Sequence, residues 1–216
     1  MAIKTQKELK KKHFRVAIFG SARALPESDD YKQVYALAYE IGASGLDIVT
    51  GGGPGLMEAA GKGFAEGKKS TSKNSHNIGL TVKLAWEFQK NKYLDIEKNF
   101  EKFSDRLDEF MELSNIVVIS PGGVGTCLEF FYTWQLTQVK HICNIPIIML
   151  GDMWNGLTEW LKKWPLEKGY ISDKDLSNLH CAENYEKAFK YIQRAHELYK
   201  QLGDSYCLNW KKYKLD

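Results

Sequence analysis

The sequence predicts an α/β protein built on a single Rossmann-like, doubly wound parallel sheet with helices on both faces. Short apolar runs without polar alternation recur along the chain, as in strands that are covered on both faces. Amphipathic patterns with helical spacing lie between these runs, which is typical of βαβ units. Glycine-rich segments follow three of the runs, and loops at the carboxyl ends of parallel strands commonly bind ligands.

The strands are predicted from the apolar runs at residues 16–19, 47–50, 78–82, 115–120 and 145–150. Two helices are predicted from apolar stripes at helical spacing, formed by Tyr31, Val34, Tyr35, Ala38 and Ile41 and by Tyr185, Phe189, Ile192 and Leu198. Further helices are predicted at residues 56–65, 100–113, 128–139 and 154–163. The polar stretch at residues 68–77 is predicted to be an exposed loop.

The length and composition favour one globular domain. A chain of 216 residues can bury most of the apolar surface that it exposes when unfolded. With 44% hydrophobic and 26% charged residues, the composition excludes disordered, collagen-like and coiled-coil proteins. We predict a nucleotide-binding domain over residues 14–202, preceded by a flexible basic segment at 1–13 and followed by a tail at 203–216.

Charge and cysteine usage restrict the class further. A net charge of +3 gives no dense cationic surface, so no nucleic-acid partner is expected. No segment approaches the roughly 20 apolar residues of a membrane span. The four cysteines have no spacing typical of a zinc site, and no metal is expected. The sequence therefore predicts a cytoplasmic protein with reduced cysteines, which are Cys127, Cys143, Cys181 and Cys207.

Three glycine clusters lie directly after predicted strands. They comprise Gly20 with Ser21, then Gly51, Gly52, Gly53 and Gly55, and then Gly122, Gly123 and Gly125. Loops without bulky side chains let backbone N–H groups approach an anion, and a helix that opens after Gly125 adds its positive N-terminal dipole. In any one such loop, glycine is explained better by the turn itself, but three such loops together predict a phosphate site.

The common nucleotide motifs are absent. A GxGxxG motif would need glycine where Glu58 and Leu128 stand, and no GxxxxGK[ST] segment occurs. NAD and a triphosphate held by a P-loop are therefore not expected.

Two segments resemble the paired GGGxxGLM and PGGxGTxxE motifs of the LOG family. They are TGGGPGLME at residues 50–58 and PGGVGTCLE at residues 121–129, and the resemblance extends over about residues 16–161. Family members are cytokinin riboside 5′-monophosphate phosphoribohydrolases and related nucleotide nucleosidases, formerly called lysine decarboxylases. The resemblance implies hydrolysis of an AMP-like or cytokinin nucleotide to free base and ribose 5-phosphate, with no cofactor, by a homodimer.

The resemblance also implies residue roles. Arg106 and Glu129 take the positions regarded as catalytic, and the phosphate would lie on a loop formed by Gly122, Gly123, Val124, Gly125 and Thr126. The chain departs from the family where Leu107 replaces a common lysine and Ala85 replaces an expected proline.

The residues themselves leave alternatives for the catalytic pair. A carboxylate near the anomeric carbon would stabilise an oxocarbenium-like transition state, which suits Glu129. However, Thr126 and Glu129 also have the spacing of a helix capping box. Arg106 is flanked by Asp105 and Asp108, as in a solvated surface ion pair.

Six further residues are candidates for substrate binding: Gly20, Ser21, Gly52, Gly53, Met57 and Glu58. Ser21 is as well explained by a turn that bonds to its own backbone. Met57 also fits a core position, and Glu58 could simply complement a helix N-terminus.

A different class of function fits the same fold, namely a non-catalytic nucleotide sensor or molybdenum cofactor carrier. Lysine decarboxylation is rejected, because no lysine lies in the glycine-rich loops to form a Schiff base with pyridoxal phosphate.

Overall fold

The computed structural model describes residues 13–82 and 91–203, together with Leu9. In this part of the chain, seven strands form one sheet that is parallel throughout, in the order β4-β3-β2-β1-β5-β6-β7. The strands are β1 Arg15–Phe19, β2 Asp47–Thr50, β3 Asn77–Val82, β4 Ile96–Phe100, β5 Ile116–Ile119, β6 Ile147–Leu150 and β7 Leu179–Ala182. The predicted α/β class with a parallel sheet is confirmed.

Helices connect the strands and begin at recognisable signals. They are α1 Asp29–Ala43, α2 Leu56–Lys68, α3 Phe103–Leu113, α4 Val124–Gln138, α5 Asn155–Leu161, α6 Asp173–Leu176 and α7 Tyr185–Leu202, with a 3-10 turn at Asp152–Trp154 and a π-helical turn at Lys162–Leu166. Ser28 accepts the backbone N–H of Tyr31 at the start of α1. Asn184 does the same for Lys187 in α7. Both are typical N-cap residues.

The helices cover both faces of the sheet. Along β1, Val16 and Ile18 pack in the cluster beneath α1, α2 and α7, whereas Ala17 and Phe19 pack in the cluster beneath α3, α4 and α5. Because successive side chains of a strand point to opposite faces, a strand buried on both faces is apolar along most of its length. This explains why β1 contains no polar alternation and confirms the doubly wound arrangement.

The order of the strands reverses between β1 and β5. In β1, Val16 pairs with Ile48 of β2 on one side and with Ile116 of β5 on the other. The connections from these strands run to opposite sides, so a crevice opens at their carboxyl ends, where ligands bind in such sheets. The backbone N–H of Ser21 donates to the carbonyl of Pro121 at 3.0 Å and joins the two loops at this point.

Two strands were not predicted from the sequence. Strand β4 lies at the edge of the sheet and alternates between partly buried and exposed residues, so it lacks a continuous apolar run. Strand β7, with the sequence LHCA, is also an edge strand and contains a histidine. Because Phe100 ends β4, the helix predicted from residue 100 begins only at Phe103.

The prediction of an exposed loop at residues 68–77 is wrong at its two ends. Lys68 completes α2 and Asn77 begins β3, where it is buried. Ser75 is buried as well, whereas residues 72–74 are exposed. The polar composition of this stretch conceals the start of a strand, because Asn77 is polar and yet buried. Its side-chain amide donates to the carbonyl of Tyr93.

Several sequence predictions concern the ends of the chain and its cysteines. The segments at 1–13 and 203–216 lie almost wholly outside the described residues, as do Ala85 and Cys207. Cys127 and Cys181 are free thiols, but Cys143 is disulfide-bonded, so the prediction of reduced cysteines is wrong there.

In the described ranges, no helix combines the length and apolarity needed to cross a membrane.

A buried carboxylate ties together the amino ends of three strands. Asp47 begins β2 and lies 3.3 Å from Nε of Arg15 and 3.2 Å from Nδ1 of His13. The backbone N–H of His76 donates to its other oxygen at 2.9 Å. Burial alone would raise the pKa of Asp47, but the hydrogen bonds from His13 and His76 and the charge of Arg15 hold that pKa well below its usual range.

We expect Asp47→Asn to lower the free energy of unfolding by about 3–5 kcal/mol at pH 7, because it leaves Arg15 buried without its counter-charge. The pKa of Asp47 is lower in the folded than in the unfolded state. Its stabilising effect is therefore complete above the unfolded pKa of about 3.9 and is lost as the pH falls toward the folded value. Urea denaturation at pH 7 and at pH 3 measures both effects.

The matched control is Asp29→Asn, which breaks an exposed pair with Lys32. This substitution should cost at most about 1 kcal/mol. An equal effect of the two substitutions would contradict the importance of the buried pair.

Candidate functional site

A cavity of about 690 Å³ lies at the carboxyl ends of the central strands. It is lined by the loops that follow β1, β2 and β5, by the end of β3 and by parts of β4 and α3. The described chain has a larger cavity, of about 760 Å³, between residues 140–146 and helix α7, but none of the predicted site residues lines it. Most of the predicted site residues line the first cavity instead.

The N-terminus of α4 forms one wall of this cavity. The helix begins at Val124 with Gly123 as its N-cap, and it has no side-chain cap and no acidic residue in its first turn. A Cβ atom on Gly123 or Gly125 would meet nothing within 4 Å, so both glycines face open space. The N–H groups of a first helical turn have no partner within the helix, so they are available to an anion here.

The two remaining residues of the predicted phosphate loop have different positions. Thr126 is buried and lines the cavity. Gly122 does not line it, but a Cβ atom there would collide with the side chain of Thr126. Gly122 therefore leaves room for the side chain of Thr126, whereas Gly123, Val124, Gly125 and Thr126 line the cavity.

The structure brings Arg106 and Glu129 together. Arg106 extends from α3 and Glu129 from α4, only 7% and 8% of each residue is exposed, and Nη1 lies 3.8 Å from Oε1. The capping-box interpretation is wrong, because α4 begins before Thr126 and both residues lie inside the helix. The interpretation of Arg106 as a surface residue is wrong as well, since its side chain points into the protein rather than toward Asp105 or Asp108.

The guanidinium of Arg106 is held from several sides. Its Nε donates to the carbonyl of Leu80 at 2.7 Å. It lies over the rings of Phe103 and Phe110, 5.3 and 5.2 Å from their centroids. A Cβ atom on Gly51 would collide with Nη2, so a side chain at this position would displace the guanidinium.

The pair has unusual proton affinities. Burial raises the pKa of Glu129 to about 7, and the charge of Arg106 offsets only part of this effect. Burial likewise lowers the pKa of Arg106, against the opposing effect of Glu129. A carboxyl group that titrates near neutrality can hold or release a proton at physiological pH, as catalytic acids and bases do.

Five of the six other predicted residues line the cavity, namely Gly20, Ser21, Gly52, Gly53 and Met57. Gly52 has a φ of 70°, a conformation that favours glycine. The hydroxyl of Ser21 accepts the backbone N–H of Arg23 at 3.0 Å, so its turn role is present as well. Glu58 does not line the cavity; it lies near Tyr31, whose pKa is raised by burial and then by this carboxylate.

Sequence reasoning missed several residues of the cavity wall. Thr81, Glu97 and Asn99 come from β3 and β4, and Nδ2 of Asn99 donates to Oγ1 of Thr81 at 3.2 Å. No sequence signal marked Glu97 and Asn99, because strand β4 itself was not predicted. Arg23 was also missed, although its position three residues after Gly20 places it in a predicted ligand loop.

Comparison with known families agrees with this geometry. A family model described as possible lysine decarboxylase matches residues 57–192, which is more than half of the chain. The chain belongs to this family, the LOG family. A pyrimidine/purine nucleotide 5′-monophosphate nucleosidase from Escherichia coli K12 is 28% identical over an alignment of 200 positions that covers 84% of this chain and 42% of that protein. Homologues from two other E. coli strains match to the same extent. The chain therefore spans less than half the length of each of these three relatives, because the alignments cover 42% of each.

Solved structures confirm the Rossmann-like fold of this LOG-family chain. The molybdenum cofactor carrier protein of Chlamydomonas reinhardtii superimposes with a TM-score of 0.64 at 18% identity, over 86% of this chain and 99% of that one. The molybdenum cofactor binding protein of Rippkaea orientalis gives a TM-score of 0.61 at 20% identity, over 86% and 98%. DNA processing protein A of Helicobacter pylori gives 0.53 at 20% identity, over 87% and 83%.

One group of described side chains, outside the cavity at the carboxyl ends of the strands, has the composition of a metal site. Ligand atoms of His13, Asp47 and His76 lie within 4.8 Å of one another. The guanidinium of Arg15 contacts the same carboxylate at 3.3 Å and already supplies positive charge there. This cluster lies at the amino ends of the strands, opposite the cavity, and its contacts are those of the ion-pair network described above.

We expect Arg106→Gln to raise the pKa of Glu129 above its value of about 7, because the substitution removes the charge that favours the carboxylate. Arg106→Lys keeps a positive charge and should raise the pKa of Glu129 less. Carbon-13 NMR of the glutamate carboxyl groups over a pH titration measures the shift.

The control for this titration is Arg194→Gln, which removes an exposed arginine at the other cavity. It should leave the titration of Glu129 unchanged. An unchanged or lower pKa in Arg106→Gln would show that the two side chains are not coupled.

Proposed function

We propose that this protein hydrolyses the N-glycosidic bond of a purine-type nucleoside 5′-monophosphate, AMP-like or a cytokinin riboside monophosphate, to free base and ribose 5-phosphate. The observation that carries the proposal is the buried pair of Arg106 and Glu129, 3.8 Å apart, in the same cavity as the uncapped N-terminus of α4. The activity in the names of the E. coli relatives supports it.

The first turn of α4 would bind the phosphate. Backbone N–H groups from Gly123 to Thr126 and the helix dipole favour an anion there. Glu129 lies on the same helix, five residues after Val124, which corresponds to about 7 Å along the axis. A sugar anchored by its 5′-phosphate at the helix start would therefore extend toward this carboxylate.

The chemistry requires few groups. As the bond between C1′ and the base nitrogen breaks, its electron pair leaves with the base and positive charge develops on the ribose. Ionised Glu129 stabilises this charge and accepts a proton from the water that bonds to C1′. That proton is then available to the departing base. Arg106 uses Nε for Leu80, so its Nη groups are left to donate to the ribose or to the base.

A non-catalytic binding protein, of the nucleotide-sensing or molybdenum cofactor carrier kind, is the alternative. The fold is shared with such carriers. The buried carboxyl of Glu129 favours the enzyme, because a site that only binds an anionic ligand gains nothing from a carboxylate whose ionisation is costly. Lysine decarboxylation remains disfavoured, because no lysine is among the described residues that line the cavity.

The other sequence predictions are retained as part of the proposal. They are a cytoplasmic location, assembly as a homodimer, and a small nucleotide rather than a nucleic acid as the partner.

Purified protein incubated with AMP, GMP, CMP and isopentenyl-AMP should release free base from at least one of them, as detected by chromatography. Glu129→Gln should reduce the rate by about 10²–10⁴-fold, because it removes the proton acceptor. Binding of ribose 5-phosphate should change little, since the first turn of α4 is intact.

The matched control is Glu58→Gln, which changes a carboxylate outside the cavity and should retain activity. If folded wild-type protein releases no base from any nucleotide, the enzyme is excluded. A phosphorylated ligand that copurifies unchanged would then support the carrier.

The rate should also depend on the ionisation of Glu129. Because the carboxylate is the active form, kcat/KM should rise with pH through an inflection near the Glu129 pKa of about 7. The phosphate of the substrate titrates near pH 6, so the pH dependence of ribose 5-phosphate binding must be measured in parallel. A rate that falls through pH 7 would instead assign activity to the protonated acid.

A further inference from the structure

The cavity has only two positively charged side chains among its described lining residues, Arg23 and Arg106. Arg106 is buried, donates to the carbonyl of Leu80 and lies 3.8 Å from Glu129, so its guanidinium is held in place within the protein. Leu107, where many family members have lysine, is buried and does not line the cavity. A phosphate monoester carries nearly two negative charges at pH 7, so it would bring more charge than Arg106 can balance.

Arg23 is available to bind such a charge. Its side chain is exposed, and within the described residues its guanidinium makes no hydrogen bond or ion pair. Its backbone N–H donates to Oγ of Ser21 at 3.0 Å, which fixes the turn that carries it. A guanidinium without a partner, on the wall of a cavity, can donate two parallel hydrogen bonds to a phosphate.

The loop of Arg23 runs beside the start of α4. Phe19, at the end of β1, pairs with Ile119, at the end of β5. Two residues later, the N–H of Ser21 donates to the carbonyl of Pro121 at 3.0 Å. The carbonyl of Ser21 in turn accepts the N–H of Leu56 at 2.9 Å, so the loop is anchored on both sides. The open space in front of Gly123 and Gly125 therefore lies within the same cavity as Arg23.

We propose that Arg23 binds the 5′-phosphate together with the backbone N–H groups at the N-terminus of α4. This inference rests on the proposed function and deepens it. The phosphate is bound by these backbone N–H groups and by the exposed guanidinium of Arg23 on the wall of the same cavity. This site selects phosphate monoesters over unphosphorylated nucleosides, whereas Arg106 acts at the sugar and base.

The test is calorimetric binding of ribose 5-phosphate, with inorganic phosphate as a second probe, to wild type, Arg23→Gln and Arg23→Lys. Arg23→Gln should weaken binding about 10- to 100-fold, the usual effect of losing a hydrogen bond to a charged group. Arg23→Lys should restore part of the affinity, because it keeps the charge but loses the bidentate geometry. With nucleotides, KM should rise in Arg23→Gln while kcat changes little.

The matched control is Arg194→Gln, which removes an exposed arginine at the other cavity and should leave binding unchanged. Circular dichroism verifies that each variant is folded. Unchanged affinity in Arg23→Gln, or a loss of kcat without a rise in KM, would overturn the proposal. If wild type binds ribose 5-phosphate through Arg23 but releases no base, the hydrolase fails and the role of Arg23 stands.

Discussion

The desolvation of Glu129 is the constraint on which the rest of the site depends. Removing a carboxylate from water is costly, and a single arginine 3.8 Å away repays only part of that cost, which leaves the pKa of Glu129 at about 7. Arg106 must itself be buried to reach the carboxylate. Its position in turn requires the carbonyl of Leu80 and two aromatic faces. The glycine at position 51 follows from this requirement, since any side chain would displace the guanidinium.

The parallel sheet supplies these groups from distant parts of the chain. Leu80 comes from β3, Gly51 from the loop after β2 and Glu129 from the helix after β5, and all three meet at the carboxyl edge. This convergence follows from the reversal of strand order at β1, because the loops on its two sides diverge and leave space between them. A buried ion pair that still faces an open cavity is difficult to build on a closed surface.

The sequence predicts the parts of this arrangement that are encoded locally. The central strands were found because burial on both faces makes most of their residues apolar, and the glycine loops were found because they directly follow those strands. Strands β4 and β7 were missed because edge strands carry polar residues. Thr126 and Glu129 also fit a local capping pattern, and only the start of α4 at Val124 decides between the two interpretations. Arg106 seemed a surface residue because its neighbours along the chain are acidic, whereas its real neighbours come from other elements.

Two buried carboxylates of this protein have opposite pKa shifts because their surroundings differ. Asp47 and Glu129 are both almost fully buried, yet the pKa of Asp47 is held low while that of Glu129 is raised. Asp47 accepts hydrogen bonds from two histidines beside an arginine, so its charge is fully compensated and stabilises the fold. Glu129 has one cation at 3.8 Å and an open cavity on its other side. Its ionisation is therefore costly near neutral pH, and positive charge in the cavity, such as the proposed reaction would develop on the ribose, would favour the carboxylate.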